Sequence, residues 1–141
     1  LMQNTAKPGD HGLIRTDFPG GWKGDDRNGY TGEGLTEEER NMQAYLKQLL
    51  NFRKHSTALQ KGSTLHFSPE NGVYLLARKS DEETVILILN KNESPVEISL
   101  ERFEELGLSG KILSNIHSDE QFRWNNTLAL SGPGAYIFST L

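Results

Sequence analysis

Hydrophobic positions follow three different patterns along the 141 residues of the chain. Residues 1–34 have almost no periodic apolar positions, and they hold two of the five prolines and more than half of the 14 glycines. Glycine and proline at this density interrupt regular secondary structure. We therefore predict a long irregular loop, and loops of this length in compact domains usually serve binding or cover a site.

An amphipathic helix is predicted over residues 36–55. It begins at a capping box, in which Thr36 and Glu39 can each satisfy the other's backbone amide. An apolar stripe then recurs every three or four residues and comprises Met42, Tyr45, Leu46, Leu49 and Leu50. The acidic first turn and the basic last turn, residues 53–55, both complement the helix dipole.

From Gly62 onward, apolar positions alternate with polar ones or form short runs, and turn residues separate them about every ten positions. Eight segments have this character: 64–67, 73–78, 84–89, 96–100, 111–116, 121–124, 127–130 and 135–139. The third is apolar from Val85 to Leu89, which is typical of a central strand buried on both faces. One helical turn is expected at 101–106. The chain is thus predicted to be mainly β, an antiparallel Greek-key β-sandwich of seven to eight strands preceded by one α-helix and a long loop.

Composition and charge exclude some classes of binding partner. The net charge of -4 and the pI near 5.6 provide no basic surface, so we expect neither nucleic acid nor membrane as a partner. No run of about 18 apolar residues predicts a membrane span. The absence of cysteine excludes disulfides and leaves the compartment open, with bacterial cytoplasm, periplasm and cell surface all compatible.

Charged and aromatic side chains concentrate in the first 30 residues. The set comprises Asp10, His11, Arg15, Asp17, Trp22, Asp25, Asp26 and Tyr30. Carboxylates and guanidinium groups bind sugar hydroxyls in bidentate fashion, and flat rings stack on the apolar face of a pyranose. This mixture indicates a sugar-contacting loop. The alternative is a surface loop held by turns between Asp side chains and the backbone and anchored by a buried Trp22.

Metal binding is a second interpretation of the same region. Asp25, Asp26 and Asn28 carry oxygen atoms of the kind that calcium prefers. Their spacing fails the EF-hand pattern, because Gly29 at the sixth position puts Leu35 at the twelfth, where an acidic ligand is required. The four histidines are dispersed and cysteine is absent, so no zinc site is indicated. We predict no cofactor, with an irregular calcium site as the open alternative.

Positions 15–22, RTDFPGGW, resemble the segment after the last barrel strand in the α-amylase family, glycoside hydrolase family 13. The similarity is closest to its cyclomaltodextrinase and neopullulanase branch. Such enzymes have a (β/α)8 barrel followed by a smaller all-β domain. The resemblance implies that residues 1–58 end the barrel and residues 59–141 form the C-terminal all-β domain. Within the first part, 3–34 would be the eighth-strand loop and 36–55 the eighth helix.

The resemblance also implies substrate contacts. In this family the eighth-strand loop places an aspartate and an arginine at the glycone side of the cleft. Asp10 and Arg15 match them here, with Asp17 as the alternative acidic residue. Independently of the resemblance, Trp22 and Tyr30 flank the turn at 25–29, and this spacing indicates that they together form an aromatic sugar platform. Two structural alternatives stay open, in which Arg15 closes the loop through Asp17 and Trp22 packs against the barrel.

The resemblance places no catalytic residue in this chain. The nucleophile, the acid/base and a third carboxylate of such a retaining glycosidase follow the fourth, fifth and seventh barrel strands, upstream of Leu1. We therefore expect a C-terminal fragment, inactive alone, of an enzyme that acts on α-1,4-glucans or maltodextrins. Its partners would be a maltooligosaccharide, bound through the parent enzyme, and the upstream catalytic barrel. Self-association through the exposed helix face is a further option.

Two other functions fit the same pattern. One is a structural β-domain that binds no ligand, and the other is a carbohydrate-binding module for starch-like glucans. The module would bind through Tyr74, Phe122 or Trp124 on the sandwich. Glucan binding that survives deletion of residues 1–60 would favour the module.

Overall fold

The computed structural model describes residues 18–140. The chain forms two compact units, which divide in sequence between Asn51 and Phe52. Its elements, in chain order, are α1 (Glu37–His55), α2 (Thr57–Lys61), β1 (Ser63–Glu70), β2 (Val73–Lys79), β3 (Thr84–Asn90), β4 (Val96–Ser99), a 3-10 helix (Glu101–Leu106), β5 (Ile112–Asn115), β6 (Gln121–Arg123), β7 (Thr127–Leu130) and β8 (Gly134–Ser139). The predicted fold class, mainly β with seven to eight antiparallel strands after an α-helix, is confirmed, and the short helix α2 adds to it.

Helix α1 begins at the predicted capping box. The Thr36 amide donates to Glu39 Oε2 at 2.8 Å, and the Glu39 amide donates to Thr36 Oγ1 at 3.2 Å. No residue of the helix is buried. The exposed members of the apolar stripe are Met42 at 56%, Tyr45 at 41%, Leu46 at 51% and Leu50 at 55%. An amphipathic helix normally buries such a stripe, whereas within residues 18–140 Met42, Leu46 and Leu50 stay more than half exposed.

The β-rich unit is a sandwich of two antiparallel sheets. The larger has the strand order β1-β2-β3-β8-β5-β6, and the smaller pairs β4 with β7. Strand β8 lies between β3 and β5 in the larger sheet, so it pairs with strands that are distant from it in sequence. Strand β3 is central, as predicted, but it is buried on both faces only at its beginning. Val85 is 4% exposed, whereas Leu89, on the same face, is 42% exposed.

The core of the sandwich lies between the two sheets. Its buried apolar members are Val73, Leu75, Ala77, Ile86, Ile88, Leu100, Phe103, Leu106, Leu108, Leu113, Trp124, Leu130 and Phe138. The 3-10 helix closes one side of this core, because Phe103 packs edge-on against Phe67, with ring centroids 4.9 Å apart. Burial of each such side chain stabilises the fold by roughly 1.5–3 kcal/mol. The unit therefore has a core of its own.

The first hairpin differs from the sequence expectation. The predicted segments 64–67 and 73–78 leave the residues between them for the turn, but β1 continues to Glu70, which pairs with Val73. An irregularity in the pairing between Phe67 and Glu70 accommodates Pro69, which cannot donate to the ladder. The turn itself is only Asn71 and Gly72, both with positive φ (49° and 79°), as a type I′ hairpin turn requires.

Candidate functional site

The residues predicted to contact substrate divide into two groups. Asp10, Arg15 and Asp17 lie outside the described residues, so their roles stay predictions. Trp22 and Tyr30 lie within them and are 72% and 77% exposed. Trp22 is therefore not buried by the described part of the chain, and both rings are accessible to a ligand or to a further domain.

Asp25 holds the backbone around Trp22. Its Oδ2 accepts hydrogen bonds from the Gly20 amide at 2.7 Å and from the Trp22 amide at 3.1 Å. The Asp25 amide in turn donates to the Trp22 carbonyl at 3.4 Å. This is the turn between an Asp side chain and the backbone that the structural alternative predicted. For Asp25, the function visible in the structure is to shape the loop.

Asn28 organises the second half of the loop. Its Oδ1 accepts from the Tyr30 amide at 2.9 Å and from the Thr31 amide at 3.1 Å. The same side chain restricts position 20, because a Cβ on Gly20 would lie 2.6 Å from Asn28 Oδ1, and Gly20 has a φ of +94°. The hydrogen bond to Asn28 thus holds the backbone of Tyr30 in position. The Tyr30 ring contacts the ring of Phe18, with centroids 5.0 Å apart.

Polar contacts attach the loop to the first half of α1. Arg27 Nη1 forms an ion pair with Glu39 Oε1 at 2.7 Å, and Gln43 Nε2 donates to the Gly29 carbonyl at 2.8 Å. The Thr36 amide is the main reason why the pKa of the Glu39 carboxyl is lowered; partial burial opposes this shift and the charge of Arg27 adds to it. Glu39 therefore both caps the helix and binds the loop through Arg27.

Metal binding and membrane insertion gain no support within residues 18–140. In this part of the chain, no group of three or more His, Cys, Asp or Glu side chains could hold a metal ion. Asp25 and Asn28, two of the residues considered for calcium, accept backbone hydrogen bonds instead. None of the helices in the same range combines the length and the apolar character needed to cross a bilayer.

The aromatic candidates on the sandwich have different environments. Trp124 is 2% exposed and belongs to the core, so the suggestion that it forms a surface platform for glucan is wrong. Its sequence neighbours are polar, which hid its inward orientation directly after the short edge strand β6. Phe122 and Tyr74 are only partly buried. Phe122 packs against Phe138 at 4.9 Å between ring centroids and keeps one part of its ring accessible.

Glu83 is a structurally important residue that the sequence did not single out. It lies between the predicted segments 73–78 and 84–89, where a solvated turn is expected, yet it is 2% exposed. Its Oε2 accepts from Ser56 Oγ at 2.7 Å and from the Ala58 amide at 2.9 Å, while Oε1 accepts from Ser139 Oγ at 3.1 Å. The carboxylate thereby binds the start of α2 to β3 and β8. The only feature of the sequence that could have indicated burial of Glu83 is its position directly before the apolar strand β3.

Comparison with known proteins identifies the β-rich unit. The family model described as "Cyclo-malto-dextrinase C-terminal domain" matches residues 64–139. Among solved structures, AmyP in complex with maltose has a TM-score of 0.61 at 18% identity, over 77% of this chain and 22% of that chain. The α-amylase from Geobacillus thermoleovorans complexed with acarbose has a TM-score of 0.56 at 17% identity, over 76% and 24%.

A third similar structure is the isomaltulose synthase from Klebsiella sp. LX3, with a TM-score of 0.56 at 22% identity. That match covers 77% of this chain and 19% of that one. At these identities the three structures establish a shared fold. The aligned part spans between 19% and 24% of the length of each of these proteins.

Proposed function

The chain belongs to the cyclo-malto-dextrinase C-terminal domain family, a domain of α-amylase-family glycosidases, and on that premise we propose that it is the C-terminal part of a retaining glycoside hydrolase. Its substrates are α-1,4-glucans or maltodextrins, and its branch is that of the cyclomaltodextrinases and neopullulanases. The match over residues 64–139 is the observation that carries this proposal. The maltose in the AmyP structure supports the substrate class.

In this proposal the segment before the sandwich is one wall of the substrate cleft. Asp10 and Arg15, or Asp17 in place of Asp10, bind sugar hydroxyls, and Trp22 and Tyr30 offer their rings to a pyranose face. The high exposure of both rings supports a contact beyond the described chain. The clasp made by Asp25 supports the same role, because a backbone held in place reduces the entropy lost on binding.

The catalytic barrel is the proposed partner of the chain. Residues 1–58 complete it, and the exposed apolar stripe of α1 packs against its neighbouring elements. Met42, Leu46 and Leu50 each expose more than half of their surface in this chain, which supports the need for such a cover. Residues 59–141 form the domain that stabilises the barrel from outside.

The decisive experiment compares the longer enzyme with this chain alone. We expect the enzyme to hydrolyse maltodextrin and the 141-residue chain to be inactive, because the catalytic carboxylates lie on the barrel. In the enzyme, Trp22→Ala should raise KM about three- to tenfold through loss of ring stacking, with kcat and Tm little changed. Lys23→Ala, an exposed neighbour, is the matched control.

Two results would count against the proposal. Hydrolysis that is undetectable on any α-glucan would remove the substrate class. A KM that stays unchanged in both Trp22→Ala and Arg15→Ala would remove the cleft-wall role and leave a purely structural function. The buried position of Trp124 favours that structural function as the second candidate for the sandwich.

A further inference from the structure

A cleft opens at the edge of the sandwich, beside β6, β7 and β8. Its volume is about 400 Å³, within the range of small-molecule sites. Partly exposed apolar side chains of Phe122, Leu128 and Tyr136 form its walls. Polar side chains are also part of its lining: Asn115, Glu120, Gln121 and Ser131. The cleft therefore combines flat apolar surface with hydrogen-bonding groups.

Contacts with neighbouring residues orient the two aromatic side chains, Tyr136 and Phe122, that line the cleft. The Tyr136 hydroxyl donates to the Gly132 carbonyl at 2.8 Å and accepts from the Gly132 amide at 3.1 Å. The Phe122 ring contacts Phe138 edge-on at 4.9 Å between centroids. A ligand that stacks on these rings has little side-chain freedom to remove, which favours binding.

Glu120 is oriented at the rim by local contacts. Its Oε2 accepts from Ser118 Oγ at 3.2 Å, and Asn115 Nδ2 lies 3.5 Å from the same atom. The carboxylate is exposed and can accept hydrogen bonds from ligand hydroxyls as well. An oriented carboxylate beside aromatic rings is the combination by which proteins bind pyranose sugars.

The charge of the lining selects among ligands. Among the described residues that line the cleft, none is Lys or Arg, and Glu120 is the charged one. This arrangement disfavours phosphorylated or carboxylated ligands and suits a neutral polyhydroxylated ring. We propose that this cleft binds one or two glucose units of an α-glucan. The choice of α-glucan, rather than another neutral sugar, rests on the function proposed above.

The test uses the 15N-labelled 141-residue chain with maltoheptaose as the probe and cellopentaose as the comparison sugar. Maltoheptaose should shift the amide signals of Gln121, Phe122, Ser131 and Tyr136, with saturation at millimolar concentration or below. Glu120→Gln should weaken this binding at least fivefold, since the charged acceptor is lost while the core is untouched. Glu97→Gln, an exposed glutamate on β4, is the control and should leave the affinity unchanged.

Phe122→Ala removes the ring and so tests whether it stacks on the sugar. Phe122→Leu is the second variant, because leucine keeps the core filled if the alanine variant does not fold. Loss of binding in folded Phe122→Leu would support the proposal. The proposal is overturned if maltoheptaose shifts no signal of the cleft, if only residues 18–36 respond, or if Glu120→Gln binds normally. Hydrolysis by the longer enzyme tests the proposed function by a separate readout, so the two can fail independently.

Discussion

At the scale of single residues, the buried Glu83 carboxylate connects the start of α2 with strands β3 and β8. Ser56 Oγ, the Ala58 amide and Ser139 Oγ all donate to it. Glu83→Ala would take this acceptor away from Ser56 Oγ and the Ala58 amide, both of which are buried, and we expect it to lower the free energy of unfolding by about 3 kcal/mol. Chemical denaturation of the whole chain measures the change.

The neighbouring Glu82 is exposed and serves as the matched control. Glu82→Ala should change the free energy of unfolding by less than about 0.5 kcal/mol. If Glu83→Ala and Glu82→Ala unfolded at the same denaturant concentration, the network around Glu83 would have no net stabilising effect. The sequence could not reveal this network, because Ser56 is 27 positions away from Glu83. In addition, Glu83 ends the polar segment 80–83, and such a segment ordinarily indicates a solvated turn.

At the scale of elements, the start of α1 should respond to acid through Glu39. The Thr36 amide lowers the pKa of this carboxyl, so its stabilising effect is complete above the unfolded-state pKa of about 4.3. It is lost as the pH falls through the lower folded-state pKa. We expect the Thr36 amide signal in an NMR titration to be constant above pH 5 and to move below about pH 4, as the first turn frays.

Glu39→Gln should abolish this transition, since no titrating acceptor remains for the Thr36 amide. Glu38→Gln changes an exposed glutamate of the same turn and should retain the transition. A Thr36 signal that still moves in Glu39→Gln would show that another group governs the end of the helix. The Arg27–Glu39 ion pair should open in the same pH range, because both contacts need the carboxylate.

Regular elements were predictable from the sequence, whereas the contacts within the loop were not. The 3.6-residue stripe and the capping box set the limits of α1, and alternation with turn residues located the eight strands. The Asn71–Gly72 hairpin and the bulge before it depend on pairing with β2, which local pattern does not contain. In the loop, composition suggested Trp22, Tyr30 and turns between Asp side chains and the backbone, but it did not indicate that Asp25 is the residue that binds the Trp22 amide.

At the scale of the whole molecule, the two units differ in how much of their apolar surface they bury. The sandwich encloses a core of 13 buried residues, while α1 buries none of its residues. A domain with a complete core can be stable by itself, and a helix with an uncovered stripe requires a partner. In the enzyme that we propose, the barrel covers this stripe. The chain alone therefore keeps the apolar stripe of α1 exposed.

We therefore expect the isolated chain to self-associate through α1. Sedimentation velocity between micromolar and millimolar concentrations should detect a reversible dimer, because burial of Leu46 and Leu50 contributes roughly 1.5–3 kcal/mol for each side chain. Leu46→Glu with Leu50→Glu should raise the dissociation constant at least tenfold. Ala44→Glu adds a charge on the opposite side of the helix and should leave the dimer intact. A native chain that stays monomeric throughout this range would contradict the prediction, and equal weakening by Ala44→Glu would place the contact elsewhere.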